Sequence, residues 1–244
     1  MISLATLPMG KSAMVTCASC GARSDSVCSV VKSENLARLA GLATVIEIAA
    51  GGAFIQEGEA AEFFFNLTHG AAKLYKLLPD GRRQITRFVR SGDFIGLAAG
   101  RTYAFSAQAL GPARVCRFPR HRLRALADDF PALERRLLET ASHELVAAQE
   151  QMLLLGRKTA RERVASFLSS RAARVLSSQR GAGLVLSMSR ADIADYLGLT
   201  IETISRELTA LRKSGVIDIR TASDVRVRHP AALKLIADGA AKLN

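Results

Sequence analysis

The chain changes its hydrophobic period once, near Pro131, and the change separates two kinds of structure. Before it, apolar runs of strand length occupy residues 45–48, 63–67, 72–77, 84–89 and 114–118. Turn-forming groups such as Gly51-Gly52, Glu57-Gly58-Glu59, Pro79-Asp80-Gly81 and Ser91-Gly92-Asp93 lie between them. Short strands punctuated in this way predict a compact antiparallel β-roll or barrel. After Pro131, the residues Leu138, Ala141, Leu145, Ala148, Met152 and Leu155 follow at alternating steps of three and four. That spacing places all six in one seam along a helix over 131–157. A seam this narrow suits a partner helix better than a broad core, and the small Ala141 and Ala148 allow close approach. The expectation is a homodimer interface rather than packing on the chain's own roll.

Residues 160–176 continue as a second helix rich in Arg and Ala, 177–183 read as a loop, and 184–186 as a short apolar strand. The segment SRADIADYLGLTIETISRELTALRKSG, residues 189–215, then carries two helix starts at the spacing of a helix-turn-helix. Ser189 is placed to cap the first helix with Asp192 completing a capping box, and Ile193, Ala194 and Leu197 form its inner face. Gly198 suits the sharp turn because it tolerates positive φ. Thr200 caps the second helix, whose Ile204, Leu208 and Leu211 fall at i, i+4 and i+7 and face inward. Glu202, Thr203, Ser205, Arg206 and Thr209 are left facing outward. Arg bonds guanine in a bidentate manner, Glu accepts from the cytosine amino group, and Ser or Thr reaches a phosphate or base edge. A solvated helical hairpin is the alternative. Against it stands the strand–turn–strand pattern over 215–228, a wing that brings Arg220, Arg226 and Arg228 toward phosphates.

Composition sharpens this reading. At 244 residues the chain exceeds one average domain, so two domains are expected. The formal charge is +12, and residues 157–244 hold 16 Lys+Arg against 8 Asp+Glu, which places +8 of it in the C-terminal third. An excess confined to one domain is the footprint of a polyanionic partner. No apolar stretch reaches the length of a membrane span, and the N-terminus lacks the apolar core of an export signal; a cytoplasmic protein is expected. His69, His121, His143 and His229 are scattered without a nucleophile or acid–base partner, so no enzyme is expected. The organisation predicted is α+β. A cysteine-bearing segment spans 1–30, a β-roll 31–130, a dimerisation helix 131–157 and a winged helix-turn-helix 158–244.

Four cysteines in a reduced compartment shift the expectation from disulfides to metal ligands or buried thiols. Cys17, Cys20 and Cys28 form C-x2-C-x7-C ahead of the roll, and Cys116 lies far downstream on a predicted strand. Three ligands from a loop and one from a strand can close a tetrathiolate site for an iron–sulfur cluster. A four-thiolate zinc site has the same ligand count. Cys116 alone is also readable as an unligated buried thiol.

The order of these parts resembles the CRP/FNR family of bacterial regulators over nearly the whole chain from Cys17. The run YLGLTIETISREL looks like the family's recognition motif, in which E-x-x-S-R reads DNA, and those roles carry over to Glu202, Ser205 and Arg206. The resemblance implies a symmetric dimer on double-stranded DNA with a palindromic operator of the TTGAT-n4-ATCAA type, and RNA polymerase as a further partner. It implies a roll of the cyclic-nucleotide-binding kind. Relatives that bind cyclic AMP carry a Gly-Glu pair for the ribose and an Arg-Ser or Arg-Thr pair for the phosphate. Gly96-Leu97 and Phe105-Ser106 stand in those places here, so no cyclic nucleotide is expected. The cysteine trio, with Cys116 in ARVCRFP and SAQAL before it, is similar to the FNR-type oxygen sensors. That likeness implies a [4Fe-4S] cluster on Cys17, Cys20, Cys28 and Cys116 that favours the DNA-binding dimer at low oxygen. Such relatives can carry an acidic residue in the dimer helix where this chain has Ala148.

Overall fold

A computed structural model describes residues 17–97, 100–176, 184–221 and 223–240. The first sixteen residues, the expected loop at 177–183 and Ala222 of the expected wing turn lie outside these. Contacts divide the chain into two units, residues 17–76 with 87–145, and residues 77–86 with 146–240.

In the first unit, short 3-10 turns at Cys17–Ser19, Val27–Val30 and Ser33–Asn35 lead into helix α1 (Leu36–Leu42). The roll follows as β1 (Thr44–Ile48), β2 (Ala53–Ile55), β3 (Phe63–His69), β4 (Ala71–Leu77), β5 (Arg83–Arg90), β6 (Phe94–Ile95), β7 (Ser106–Ala109) and β8 (Ala113–Pro119). Two four-stranded sheets result, with strand orders β1-β8-β3-β6 and β2-β7-β4-β5. Residues alternate between the two faces of a strand, and β3 shows why this matters. Phe65 and Leu67 pack into the interior of the roll, whereas Phe64 packs into a second core that holds Cys17, Cys28 and Cys116. That second core is closed by Leu123, Leu126 and Ala127 of helix α2 (Arg120–Asp129) and by Leu133 at the start of α3 (Pro131–Arg157). Helix α3 follows the predicted span, with Pro at its first position, where its missing N–H costs nothing.

The second unit contains the end of α3 and then α4 (Ala160–Leu176), β9 (Leu184–Val185), α5 (Arg190–Leu197), α6 (Ile201–Lys213), β10 (Ile217–Ile219), β11 (Asp224–Val227) and α7 (Pro230–Ala237). Strands β10, β11 and β9 form a small antiparallel sheet in that order. Val164, Ala165, Phe167 and Leu168 of α4 are buried, as are the inner faces of α5, α6 and α7. The boundary between the units falls inside α3, between Leu145 and Val146, and the hairpin tip 77–86 groups with the second unit. Both differ from the expected boundaries, because the seam pattern marks a helix but not the contacts that divide it.

Candidate functional site

Helix α5 begins as its sequence demands. The Ser189 hydroxyl accepts from the Asp192 backbone N–H at 3.0 Å, and the Asp192 carboxylate accepts from the Ser189 N–H at 3.1 Å. Each satisfies an N–H that the first helical turn would otherwise leave unpaired. Gly198 ends the helix at φ 61° and ψ 44°, in the left-handed region that favours glycine. Thr200 then caps α6, its hydroxyl accepting from the Thr203 N–H at 3.2 Å. Ile204, Leu208 and Leu211 are buried, while Glu202, Ser205 and Arg206 are exposed together and Thr203 is half-buried beside them. Hydrogen bonds from the Glu202 backbone N–H and from Thr200 hold the Glu202 carboxyl below the usual range, so it is an acceptor at neutral pH.

The Arg206 guanidinium is 71% exposed, and its salt-bridge contact, to Glu207, is long at 3.7 Å. Ser205, Arg206, Thr209, Ala210 and Lys213 line a shallow groove along the helix. Lys213 was not among the expected readers, since sequence alone does not extend the face to the last turn. On the wing, Arg220 and Arg226 are exposed, whereas Arg228 is paired with Asp218 at 3.0 Å. Arg163 on α4 anchors this arrangement. It donates to the carbonyls of Leu155, Lys158 and Leu197 at 2.8–2.9 Å, tying the end of α3 to the turn before α6. An Arg within an Arg-rich helix gave no sign of that role.

Along α3, Leu138, Leu145 and Met152 are 69%, 62% and 74% exposed. Ala148 is exposed too, and Ala141 is half-buried. Val146 and Leu153 are exposed and widen the seam. Leu155 is half-buried and lies against Gly198, where a Cβ would sit 3.3 Å from its Cδ2. It therefore packs within its own unit.

The four cysteines assemble in the first unit. All are free thiols; Cys17, Cys28 and Cys116 are buried and Cys20 is partly so. Burial chiefly, with neighbouring cysteines adding, pushes the Cys116 thiol up to about 12. Burial also raises Cys28 to about 11, partly opposed by a hydrogen bond from Ser26. The Cys17 thiol is raised too, by burial and then by Cys20. Cys17, Cys28 and Cys116 share one buried core, and the partly exposed Cys20 lies on the segment that joins the first two. Among the described residues, however, no three His, Cys, Asp or Glu side chains converge tightly enough for a single metal ion. Strand register extends the site: Val45, Cys116, Asn66 and Phe94 form one row across β1, β8, β3 and β6. Val45, Cys116 and Phe94 all belong to or pack on the cysteine core, so the row faces it.

The segment bearing Cys20 and Cys28 folds tightly on the turn after β5. Gly92 has φ +97°, and a Cβ there would lie 2.7 Å from that of Asp25. Gly92→Ala is therefore expected to cost about 1–3 kcal/mol in backbone strain and to push the cysteine segment outward. Thermal unfolding of the metal-free protein, which should show a lowered Tm, checks this.

The interior of the roll is packed with Phe65, Leu67, Tyr103, Ala107, Val115 and other apolar residues. Leu97 packs instead on the cysteine core. Ser106 is buried, its hydroxyl accepting from the Glu57 N–H at 3.0 Å. Arg120 is a buried cation of this unit, and it is engaged with the carbonyls of Gly96 and Gly100.

Comparison with known proteins agrees with both halves. Residues 45–130 match the cyclic nucleotide-binding domain and residues 162–236 the Crp-like helix-turn-helix domain. The chain is 39% identical to the nitrogen fixation regulation protein FixK of Bradyrhizobium diazoefficiens, over 91% of this chain and 93% of that one. It is 37% identical to the transcriptional activator protein FnrL of Cereibacter sphaeroides, over 89% and 90%. The structure of FixK2 from Bradyrhizobium japonicum superposes with a TM-score of 0.76 at 37% identity, covering 83% of this chain and 99% of that one. These relatives are regulators rather than enzymes, and no described helix is long and apolar enough to cross a membrane. With a cyclic-nucleotide-type roll, a long helix and a winged helix-turn-helix in this order, the chain belongs to the CRP/FNR family of DNA-binding transcription regulators.

Proposed function

We propose that the protein is an oxygen-responsive transcription regulator that binds a palindromic operator as a homodimer, using Glu202, Ser205 and Arg206 of each protomer. The observation that carries the DNA half is the joint exposure of these three side chains on one face of a capped helix. Charge favours it, since phosphate contacts from the basic wing and helix supply sequence-independent affinity. RNA polymerase is the natural further partner of a regulator held upstream of a promoter.

The observation that carries the sensing half is the meeting of Cys17 and Cys28 with the distant Cys116 in one buried core, with the partly exposed Cys20 on the same segment. Buried thiols with raised pKa values stay neutral unless a metal compensates the thiolate charge. Tetrahedral zinc would need the four sulfurs about 3.8 Å apart, given Zn–S bonds of about 2.3 Å. A [4Fe-4S] cube takes each thiolate on a separate iron, so its four ligands stand farther apart than those of a single zinc ion. Cys17, Cys20, Cys28 and Cys116 would hold it, and when bound it supplies an oxygen-labile cross-link between the N-terminal segment and β8. Leu123, Leu126 and Leu133 pack in the same core, so these residues feel the order of the cysteine segment and pass it to the base of α3. Such coupling shifts the dimer only if the two states differ in their affinity for the group.

A zinc or thiol-based redox or nitric oxide sensor is the competing reading. Iron and acid-labile sulfide analysis of anaerobically purified protein separates the two: about four irons per chain supports the cluster, and colourless zinc protein refutes it. Gly96-Leu97 and Phe105-Ser106 stand where a Gly-Glu and an Arg-Ser pair would be needed, and Arg120 is engaged with backbone carbonyls, which speaks against a cyclic nucleotide.

The exposed apolar stripe on α3 is assigned to the homodimer. Because Ala148 imposes no charge on this seam, the metal-free protein is expected to retain appreciable dimer at micromolar concentration. Ala148→Asp should weaken that dimer about a hundredfold or more, as juxtaposed like charges cost several kcal/mol. Sedimentation of both forms decides; a purely monomeric metal-free parent would refute it.

A further inference from the structure

The polar member of the cross-strand row, Asn66, stands out. It is 1% exposed, and its Oδ1 has no hydrogen-bond partner. Buried side-chain amides are almost always bonded, and an orphaned one calls for a missing partner. The direction of the side chain follows from the sheet. Asn66 is two residues from Phe64, which packs in the cysteine core, while Phe65 and Leu67 between and beyond them face the roll interior. It sits directly across from Cys116 on one side and from Phe94 on the other. Side chains facing each other in antiparallel strands have Cβ atoms about 4.5–5.5 Å apart. The Asn66 side chain therefore stands next to that of Cys116, on the face of the core that also holds Cys17 and Cys28.

We propose that Asn66 is a positioning residue for the cysteine site, donating an amide N–H to a sulfur of the metal–thiolate group held there. This rests on the four-cysteine reading above. A half-turn of the amide about its last torsion exchanges its oxygen for its NH2 group. Metal-bound thiolate or sulfide is an acceptor only, so a donor at this position gains a partner that a neutral thiol supplies weakly. Hydrogen bonds to the sulfurs stabilise the more reduced, more negative cluster and so raise its potential. Asn66 thereby sets how readily the group is oxidised, without ligating it.

Asn66→Leu, close in shape but without a donor, is the test, read on anaerobically purified full-length protein. The expected result is undiminished iron content, with a midpoint potential lowered by the equivalent of roughly tenfold in the redox equilibrium, about 59 mV for one electron. Loss of the visible absorbance in air should be several-fold faster. Asn66→Ser, which keeps a donor, should return part of both shifts. The metal-free Asn66→Leu protein should unfold at the same or higher denaturant concentration, because an unpaired buried amide has been removed. An unchanged potential and decay in an iron-bearing variant would overturn the inference and leave the cluster reading intact. Lower stability of the metal-free variant would also overturn it, by making Asn66 structural. A parent protein without iron would overturn the cluster reading itself, and this inference with it.

Discussion

Arg206→Ala is expected to lower affinity for the matched operator by roughly 1.5 to 4 powers of ten while leaving the fold intact. A bidentate arginine–guanine contact is worth about 1–3 kcal/mol of discrimination, and a symmetric dimer loses it twice. At about 1.4 kcal/mol per tenfold, two losses give the range stated. The fold should survive because the guanidinium is mostly exposed and its ion-pair contact to Glu207 is long. Wing substitution makes the control. Arg226 is exposed on β11, and its loss should weaken all DNA sequences alike and flatten the salt dependence. Titrating matched and scrambled operators against both variants at two salt concentrations measures the difference. Equal losses on matched and scrambled DNA for Arg206→Ala would remove it from the base-reading set.

Cys116→Ser is expected to empty the sensing site and, with it, to abolish the anaerobic gain in operator affinity. The substitution is nearly isosteric, and the residue sits in a strand paired on both sides by β1 and β3, so the roll should fold. What changes is chemistry, since a serine hydroxyl does not supply the thiolate that iron–sulfur centres use. Iron should fall from about four per chain to a small fraction of that, and the visible absorbance should vanish. The variant's affinity for DNA should match that of air-exposed parent. Retention of iron and of anaerobic binding by Cys116→Ser would remove this residue from the ligand set.

Local chemistry made the DNA-reading half legible from sequence. Ser189, Asp192, Gly198 and Thr200 act on their own neighbours within three or four residues, so the capping box, the positive-φ turn and the second cap all appear as read. The strands of the roll were readable where alternation or apolar runs were long. The short strands β2, β6 and β7 carried too little pattern, as did the helices α1, α2 and α7. The first wing strand is shorter than the pattern suggested, β10 covering Ile217–Ile219, because the flanking residues bend into turns, while β11 keeps the expected length one residue earlier at Asp224–Val227. The cysteine trio was visible by spacing, but what surrounds it was not. Cross-strand register put Asn66 beside Cys116, and a tight backbone approach put Gly92 beside Asp25. Both are contacts between residues far apart in sequence. Asn66 left one trace, a polar residue inside an apolar run, and only the row of neighbours gives that trace a meaning.

The most direct measurement is operator affinity of one anaerobically purified sample, with its iron content, before and after exposure to air. The account predicts brown, iron-bearing protein that binds the palindromic operator tightly and loses colour, iron and affinity together. Colourless protein, or affinity unchanged while the colour disappears, would contradict it.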